Sequence, residues 1–289
     1  MEKYSISVEK PYSIIPHLHR FSLSDRPLPC IVENNLFWRL IPIEDIFIPV
    51  KAEIHEDIVK IDVASECEND YCKEVLSTVR HLLAVDISYS NFLKTLEDFP
   101  RLYKMAITYS GLRPARNLNL YEALIKIVLQ QRISLKYALN TTAKLIEKWG
   151  IREKWNGYSY YSFPPPEKLM RISTSEIKAL GTTTVKAKSL LEIAKMEYNG
   201  DLPSIYEVNK NPEEYVKFLT GIYGVGMWTA ELSVATVIHD YSIAPAGDLN
   251  VRKAFSKFLG LQGEKEIREY TEKFGKWKGL IMYLMTFDL

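Results

Sequence analysis

One short stretch limits this chain more than any other. GIYGVGMWTAEL, Gly221 to Leu232, places Gly221, Gly224 and Gly226 close together and then no further glycine. The residues before it, NPEEYVKFLTG, read as a helix with Asn211 as N-cap, Pro212 at the first helical position and Gly221 at the end. An apolar, helix-like run begins at Met227. Two helices therefore meet across a turn too tight for side chains at Gly224 and Gly226, because glycine permits positive φ and close backbone approach. The first N–H groups of the second helix have no internal partner and carry the positive end of its dipole. A phosphate can sit there without any lysine. The other reading is a glycine-lined αα-hairpin that only packs, and these twelve residues alone do not choose between the two.

The rest of the chain narrows the setting. No apolar run approaches the roughly 20 residues needed to span a membrane, and the start, MEKYSISVEKPYS, lacks the apolar core of a secretory signal. Cys30, Cys67 and Cys72 are too few for a disulfide scaffold, which points to a reducing interior, cytoplasmic and nucleoid-associated or nuclear. Cys67 and Cys72 have no second Cys or His pair at metal-ligand spacing, so no zinc or iron–sulfur site is expected from cysteines. The net charge of +1 gives no global attraction to polyanions, so any nucleic-acid binding has to be local.

Periodicity divides the 289 residues into an α+β chain of two parts. YSISVEK, CIVENNLFWRLI and IFIPVKAEIHEDIVKIDVA are rich in β-branched and aromatic residues. Within the last of these, Val50, Ala52 and Ile54, then Val59, Ile61 and Val63, alternate with polar residues around HED, which predicts a hairpin with one wet face. Val75, Leu76, Val79 and Leu82 mark a helix after about Asn69. Beyond about Ser110 the pattern is helical to the end. Leu120, Ala123, Leu124, Ile127 and Val128 share one face, Ser134 caps the next helix, and Ser173 to Glu176 form a capping box. WNGYSYYSFPPPEK is a Tyr- and Pro-rich connection that cannot be helical through Pro164 to Pro166. The expectation is a small antiparallel-sheet α/β domain over 1–105 and an all-α domain over 106–289.

Asp248, just before LNVRKAF, reads by itself as an N-cap. It also lies one helix past the glycine hairpin. That layout resembles the helix–hairpin–helix DNA glycosylases, in which the hairpin grips the DNA backbone and an Asp one helix later is catalytic. SGLRPARNLNLYEALIKIVLQQRISLKYALNTTAKLIEKWG is similar to the helical core of the 3-methyladenine DNA glycosylase II family, including its Gln-Gln-x-Ile-Ser turn at Gln130 to Ser134. LGTTTVKAKSLLEIAK, APAGDLNVRKAF and GKWKGLIMYLMTFDL resemble further family elements in the right order, over roughly residues 80 to 289. The N-terminal third resembles the family's β domain only in layout. Tyr223 stands where the family's hairpin has proline, and Asn250 where it has glycine after Asp-Leu.

The resemblance implies a set of roles. Asp248 would stabilise the cation at C1′ as the glycosidic bond breaks, and Arg132 would enter the gap left by the flipped base. Gln130 and Gln131 would face the base stack or be solvated, with Ser134 closing the turn. Backbone N–H groups of Gly224, Gly226 and Thr229 would meet phosphates, and carbonyls of Thr220, Ile222 and Gly224 would hold a monovalent cation. Trp228 occupies the position where strand-cutting relatives carry a Schiff-base lysine; an indole cannot attack C1′, but it can stack on a cationic base. Trp277, Tyr283 and Phe287 on the last helix would line the same slot. The partner implied is double-stranded DNA with a damaged base, met by a monomer that needs no catalytic cofactor. The leading expectation is a monofunctional enzyme for alkylated purines. An 8-oxoguanine-type glycosylase/lyase, with Lys253 or Lys186 as nucleophile, and a non-catalytic DNA-binding module stay open.

Overall fold

Alternating β-branched and charged residues build an antiparallel sheet at the start of the chain. The computed structural model describes residues 2–23, 26–64 and 69–287. Strands β1 (Glu2–Ser7), β2 (Ile31–Glu33), β3 (Leu36–Ile43), β4 (Ile46–Ile54) and β5 (Ile58–Val63) stand in the order β1-β5-β4-β3-β2. Helix α1 (Ile15–Arg20) precedes β2, and α2 (Asn69–Leu82) follows β5. The expected hairpin is β4–β5, with Ala52 opposite Ile61 and Lys51 opposite Asp62. The period of two turns Phe37, Ile41, Val50 and Ile61 to one face, where α2 supplies Val75 and Val79.

The helical part continues with α3 (Tyr89–Thr95), α4 (Pro100–Thr108), α5 (Leu120–Gln130) and α6 (Leu135–Trp149). After a pair of strands come α7 (Pro166–Leu169), α8 (Thr174–Lys178), α9 (Thr184–Asn199), α10 (Ile205–Lys210) and α11 (Pro212–Leu219). Helices α12 (Met227–Ala235), α13 (Leu249–Leu259), α14 (Gly263–Glu272) and α15 (Lys278–Met285) complete the chain. Two apolar cores divide them. One gathers α5, α6, α9, α11 and α12 around Leu124, Val128, Leu190, Leu219 and Val234. The other joins α3 and α4 to α13 and α15 through Phe92, Leu102, Phe255 and Leu280. Helix α4 runs across residue 105 and so shares its core with the C-terminal helices.

Three local expectations change. The Tyr- and Pro-rich stretch is not all connection: β6 (Ile151–Trp155) and β7 (Tyr158–Ser162) form a hairpin whose turn residues Asn156 and Gly157 have φ of 50° and 82°. Asn-Gly with both residues at positive φ is the tight turn that matches strand twist. This hairpin covers the outer face of the first sheet, burying Tyr160 with Trp38 and Leu40, so the face expected to be wet is dry over β3. Asn211 stands at the N-cap position before Pro212, but its side chain makes no capping bond. The Ser173–Glu176 box does form with both reciprocal bonds. Cys30 lies beside Arg39, Cys72 accepts from the Tyr4 hydroxyl at 2.9 Å, and Cys67 lies outside the described residues.

A buried ion pair joins the sheet to the helices. Arg39, fully buried on β3, donates from Nη2 to Glu122 Oε2 in the first turn of α5 at 2.9 Å. Burial by itself would raise the Glu122 pKa; Arg39 and then Lys126 outweigh it and hold the carboxyl below its ordinary value. Because the folded-state value is lowered, this stabilisation is complete above the ordinary carboxylate range and is lost as pH falls through the lowered value. Glu122→Gln leaves a buried guanidinium unpaired and is expected to cost about 3–5 kcal/mol in urea denaturation at neutral pH, whereas Arg39→Met/Glu122→Leu recovers most of that. A loss from Glu122→Gln below about 1 kcal/mol would place the pair with weak surface bridges instead.

Candidate active site

The site grows from the ends of three helices. Helix α11 closes at Leu219 with Thr220 as C-cap, and the Val225 N–H donates to the Ile222 carbonyl at 3.0 Å across the turn. Gly224 has φ of +77°, and a Cβ there would collide with Ser189 Oγ, so both backbone and space demand glycine. Ser189 Oγ donates to the Tyr223 carbonyl at 2.6 Å, which fastens the turn to α9. Gly226 is different. Its backbone is extended, and an added Cβ would meet nothing within 4 Å. The protein itself does not require a glycine there; a ligand approaching the backbone would. Gly226 caps α12 without a side chain, which leaves the first N–H groups of that helix, through Thr229, open.

Asp248 stands at the N-cap that the sequence indicated. It caps α13, with Oδ1 accepting from the N–H groups of Asn250 at 2.8 Å and Val251 at 3.2 Å. Its other oxygen, Oδ2, accepts from Trp228 Nε1 at 2.8 Å. Three N–H donors thus aim one half-buried carboxylate. Trp228 rests against the first helical core, while α13 belongs to the second, so this bond spans the junction. The loop before Asp248 is held from behind. Arg268 on α14 bridges the buried Glu231 of α12 and Glu264, each at 2.6 Å, and a Cβ on Gly247 would lie 3.0 Å from Glu264. Asn250 and Leu249 are exposed beside the carboxylate.

The Gln-Gln-x-Ile-Ser turn lies next to the hairpin. Arg132 is exposed and carries φ of 56°, a left-handed backbone that non-glycine residues adopt at a cost. Ser134 caps α6 by accepting from the Tyr137 N–H. Gln130 ends α5 half-buried. Gln131 neither faces outward to a base stack nor hangs in solvent. Its Nε2 donates to the Gly224 carbonyl and to Thr229 Oγ1, both at 2.9 Å. The Thr229 side chain is correspondingly buried.

The aromatic residues of the last helix separate. Trp277 is 7% exposed and packs between Phe92 and Tyr241, so the expectation that it lines a slot is corrected: it is a core residue. Tyr283 is half-buried, with its hydroxyl 2.6 Å from His17 Nδ1, and Phe287 lies beside it under the Arg20 guanidinium. Burial, then Lys126 and Arg20, push the His17 pKa down to about 3, so this ring is neutral at physiological pH. The sequence reading missed His17, because its partner is 266 residues away. Lys186 is buried and donates to the Leu129 carbonyl at 2.9 Å, so its amine is not free for chemistry; Lys253 is exposed on α13. The carbonyls of Ile222 and Gly224 each accept one hydrogen bond, which leaves each a second lone pair for a cation.

Comparison with known proteins agrees with this layout. The Bacillus subtilis (strain 168) protein named DNA-3-methyladenine glycosylase is 24% identical over 251 residues, covering 86% of this chain and 83% of its own. A solved 3-methyladenine DNA-glycosylase from Archaeoglobus fulgidus superposes with a TM-score of 0.84 at 25% identity, over 99% of this chain and 98% of that one. The fold is shared with the Clostridium acetobutylicum 8-oxoguanine glycosylase/lyase, at a TM-score of 0.68 and 21% identity over 90% of this chain and 99% of that one. Residues 125–278, which contain the Gln-Gln-x-Ile-Ser turn, the glycine hairpin and Asp248, match the family described as HhH-GPD superfamily base excision DNA repair protein, and the chain belongs to that family.

Proposed function

We propose that this chain is a monofunctional DNA glycosylase that removes alkylated purines such as 3-methyladenine from duplex DNA. The observation that carries this is the indole of Trp228, placed on the hairpin helix and bonded to Asp248. A strand-cutting enzyme needs an amine there to form a Schiff base. The names of the Bacillus subtilis and Archaeoglobus fulgidus relatives support an alkylated base as substrate.

The chemistry divides among the residues described. Open amides at the start of α12 hold a phosphate of the damaged strand. Arg132 fills the space left as the nucleotide turns out of the stack. The C1′–N bond then breaks with its electron pair leaving on the base, and positive charge develops at C1′ and the ring oxygen. Asp248, already directed by three N–H donors, stabilises that charge without reorganising. Water adds at C1′ through its oxygen and releases a proton to solvent, leaving the abasic sugar with a hydroxyl at C1′. A methylated, cationic purine departs neutral and needs no acid, which fits a site with one carboxylate and an indole face. Carbonyls of Thr220, Ile222 and Gly224 would hold a monovalent cation that offsets phosphate charge at the hairpin.

Three outcomes test the assignment. Asp248→Asn keeps the cap but loses the charge; single-turnover base release is expected to fall roughly 10²-fold or more, with affinity for an abasic-analogue duplex held within about tenfold. Release near the normal rate would remove Asp248 from the mechanism. Trp228→Phe keeps an aromatic ring and loses the donor to Asp248; a hydrogen bond to a charged group is worth about 1.5–3 kcal/mol, so release should slow by about tenfold or more. Trp228→Ala should be slower still, because stacking adds about 1–3 kcal/mol. If Phe equals the wild type, the indole N–H is idle. Finally, borohydride added during turnover should trap no protein–DNA adduct, and the product should be an intact abasic site. Efficient trapping would install the lyase reading, with Lys253 as the exposed amine to mutate first.

A further inference from the structure

The wedge turn and the phosphate hairpin are far apart in sequence, yet they are bonded to each other. Gln131, the residue before Arg132, leaves α5 and reaches across to the hairpin, where its single amide nitrogen serves both the Gly224 carbonyl and Thr229 Oγ1. Gly224 is the left-handed glycine of the hairpin, and Thr229 is in the first turn of α12, one residue from Trp228. A second tie runs through α9. Lys186, buried on α9, donates to the Leu129 carbonyl near the end of α5. Three residues further along α9, Ser189 donates to the hairpin carbonyl of Tyr223. The wedge turn, the start of α9 and the glycine hairpin thus close a ring of hydrogen bonds.

From this geometry we infer that Gln131 is a positioning residue that couples phosphate engagement at the hairpin to insertion of Arg132. The inference rests on Arg132 being the wedge, and it assigns Gln131 a role other than contact with DNA. Two facts require some such device. The Arg132 backbone sits at φ of 56° and returns to an ordinary conformation unless its surroundings hold it. The side chain of Arg132 is exposed and makes no hydrogen bond or ion pair among the described residues, so the hold comes from the residue before it. Both partners of the Gln131 amide belong to the segment whose free N–H groups face the phosphate. A shift of the hairpin on binding therefore moves the base of the wedge directly. A glutamine has the reach and the paired donors for this task, and the local dielectric of a half-buried site strengthens the bonds.

The test separates insertion from binding. Gln131→Met keeps length and loses the amide; Thr229→Val keeps shape and loses the hydroxyl. Each is compared with wild type for affinity to a duplex carrying a tetrahydrofuran abasic analogue, which needs no base to be extruded. Each is also followed by stopped-flow fluorescence of a 2-aminopurine neighbouring the lesion, which reports unstacking. Gln131→Met is expected to slow unstacking and single-turnover release by about tenfold while abasic-duplex affinity stays within about threefold, as befits loss of hydrogen bonds inside the protein. The double variant should be no slower than Gln131→Met, since both changes break one linkage. Equal losses in abasic affinity and release would make Gln131 a DNA contact and overturn the inference; so would additive effects, or unchanged unstacking in Gln131→Met. Thr229→Val alone, a buried isosteric change, carries the test should Gln131→Met fail to fold. Arg132→Ala distinguishes the underlying assignment: if it leaves unstacking intact, the wedge itself is wrong, whereas slow unstacking there beside normal unstacking in Gln131→Met defeats only the coupling.

Discussion

The position of helix α5 governs the rest of the molecule, and a buried ion pair sets that position. Arg39 comes from the middle of a strand whose other inward residues, Phe37 and Ile41, are apolar, so its charge has no route to water. It is satisfied by Glu122 together with the Leu40 carbonyl and the Cys30 sulfur. Glu122 lies in the first turn of α5, where the helix dipole also favours an acid. The sheet thereby grips one end of α5 while Lys186 and the hairpin grip the other. A rod clamped at both ends transmits position faithfully from the N-terminal sheet to the turn that carries Arg132.

The arrangement around Asp248 shows how one side chain can start a helix and reach across a junction at once. A carboxylate at a helix start accepts backbone N–H bonds whatever its function, and that geometry alone satisfies one oxygen. The indole of Trp228 satisfies the other from outside the helix. Three donors fix the direction of the carboxylate, and Oδ2, which accepts only the indole N–H, keeps a lone pair of its own. At the hairpin position of Trp228 the side chain is a hydrogen-bond donor to Asp248, and an indole has no amine with which to form a Schiff base.

Much of this was legible in the sequence, and what was not has identifiable causes. Local signals held: the β4–β5 alternation, the Ser173–Glu176 box, Ser134 as a cap and the tight turn at Gly224 all show in residues close along the chain, whereas Gly226 sits in open, extended backbone where the sequence had predicted crowding. The β6–β7 hairpin had a local signal too, Asn156-Gly157, but the prolines beyond it drew the whole stretch into one connection. Trp277 and Tyr283 share a C-terminal segment, and periodicity cannot tell a ring that fills a core from one that meets a cleft. Gln131 was placed at the right turn with the wrong partner, since its contacts lie 93 and 98 residues away. Such long-range bonds between polar side chains leave no periodic trace.

The bond from Trp228 to Asp248 crosses the junction between the two helical cores, as does the Arg268–Glu231 ion pair. Its consequence is an interlock. The carboxylate has its full set of donors only while the two cores are docked, so any motion that parts them also takes from Asp248 the one donor that comes from outside its own helix.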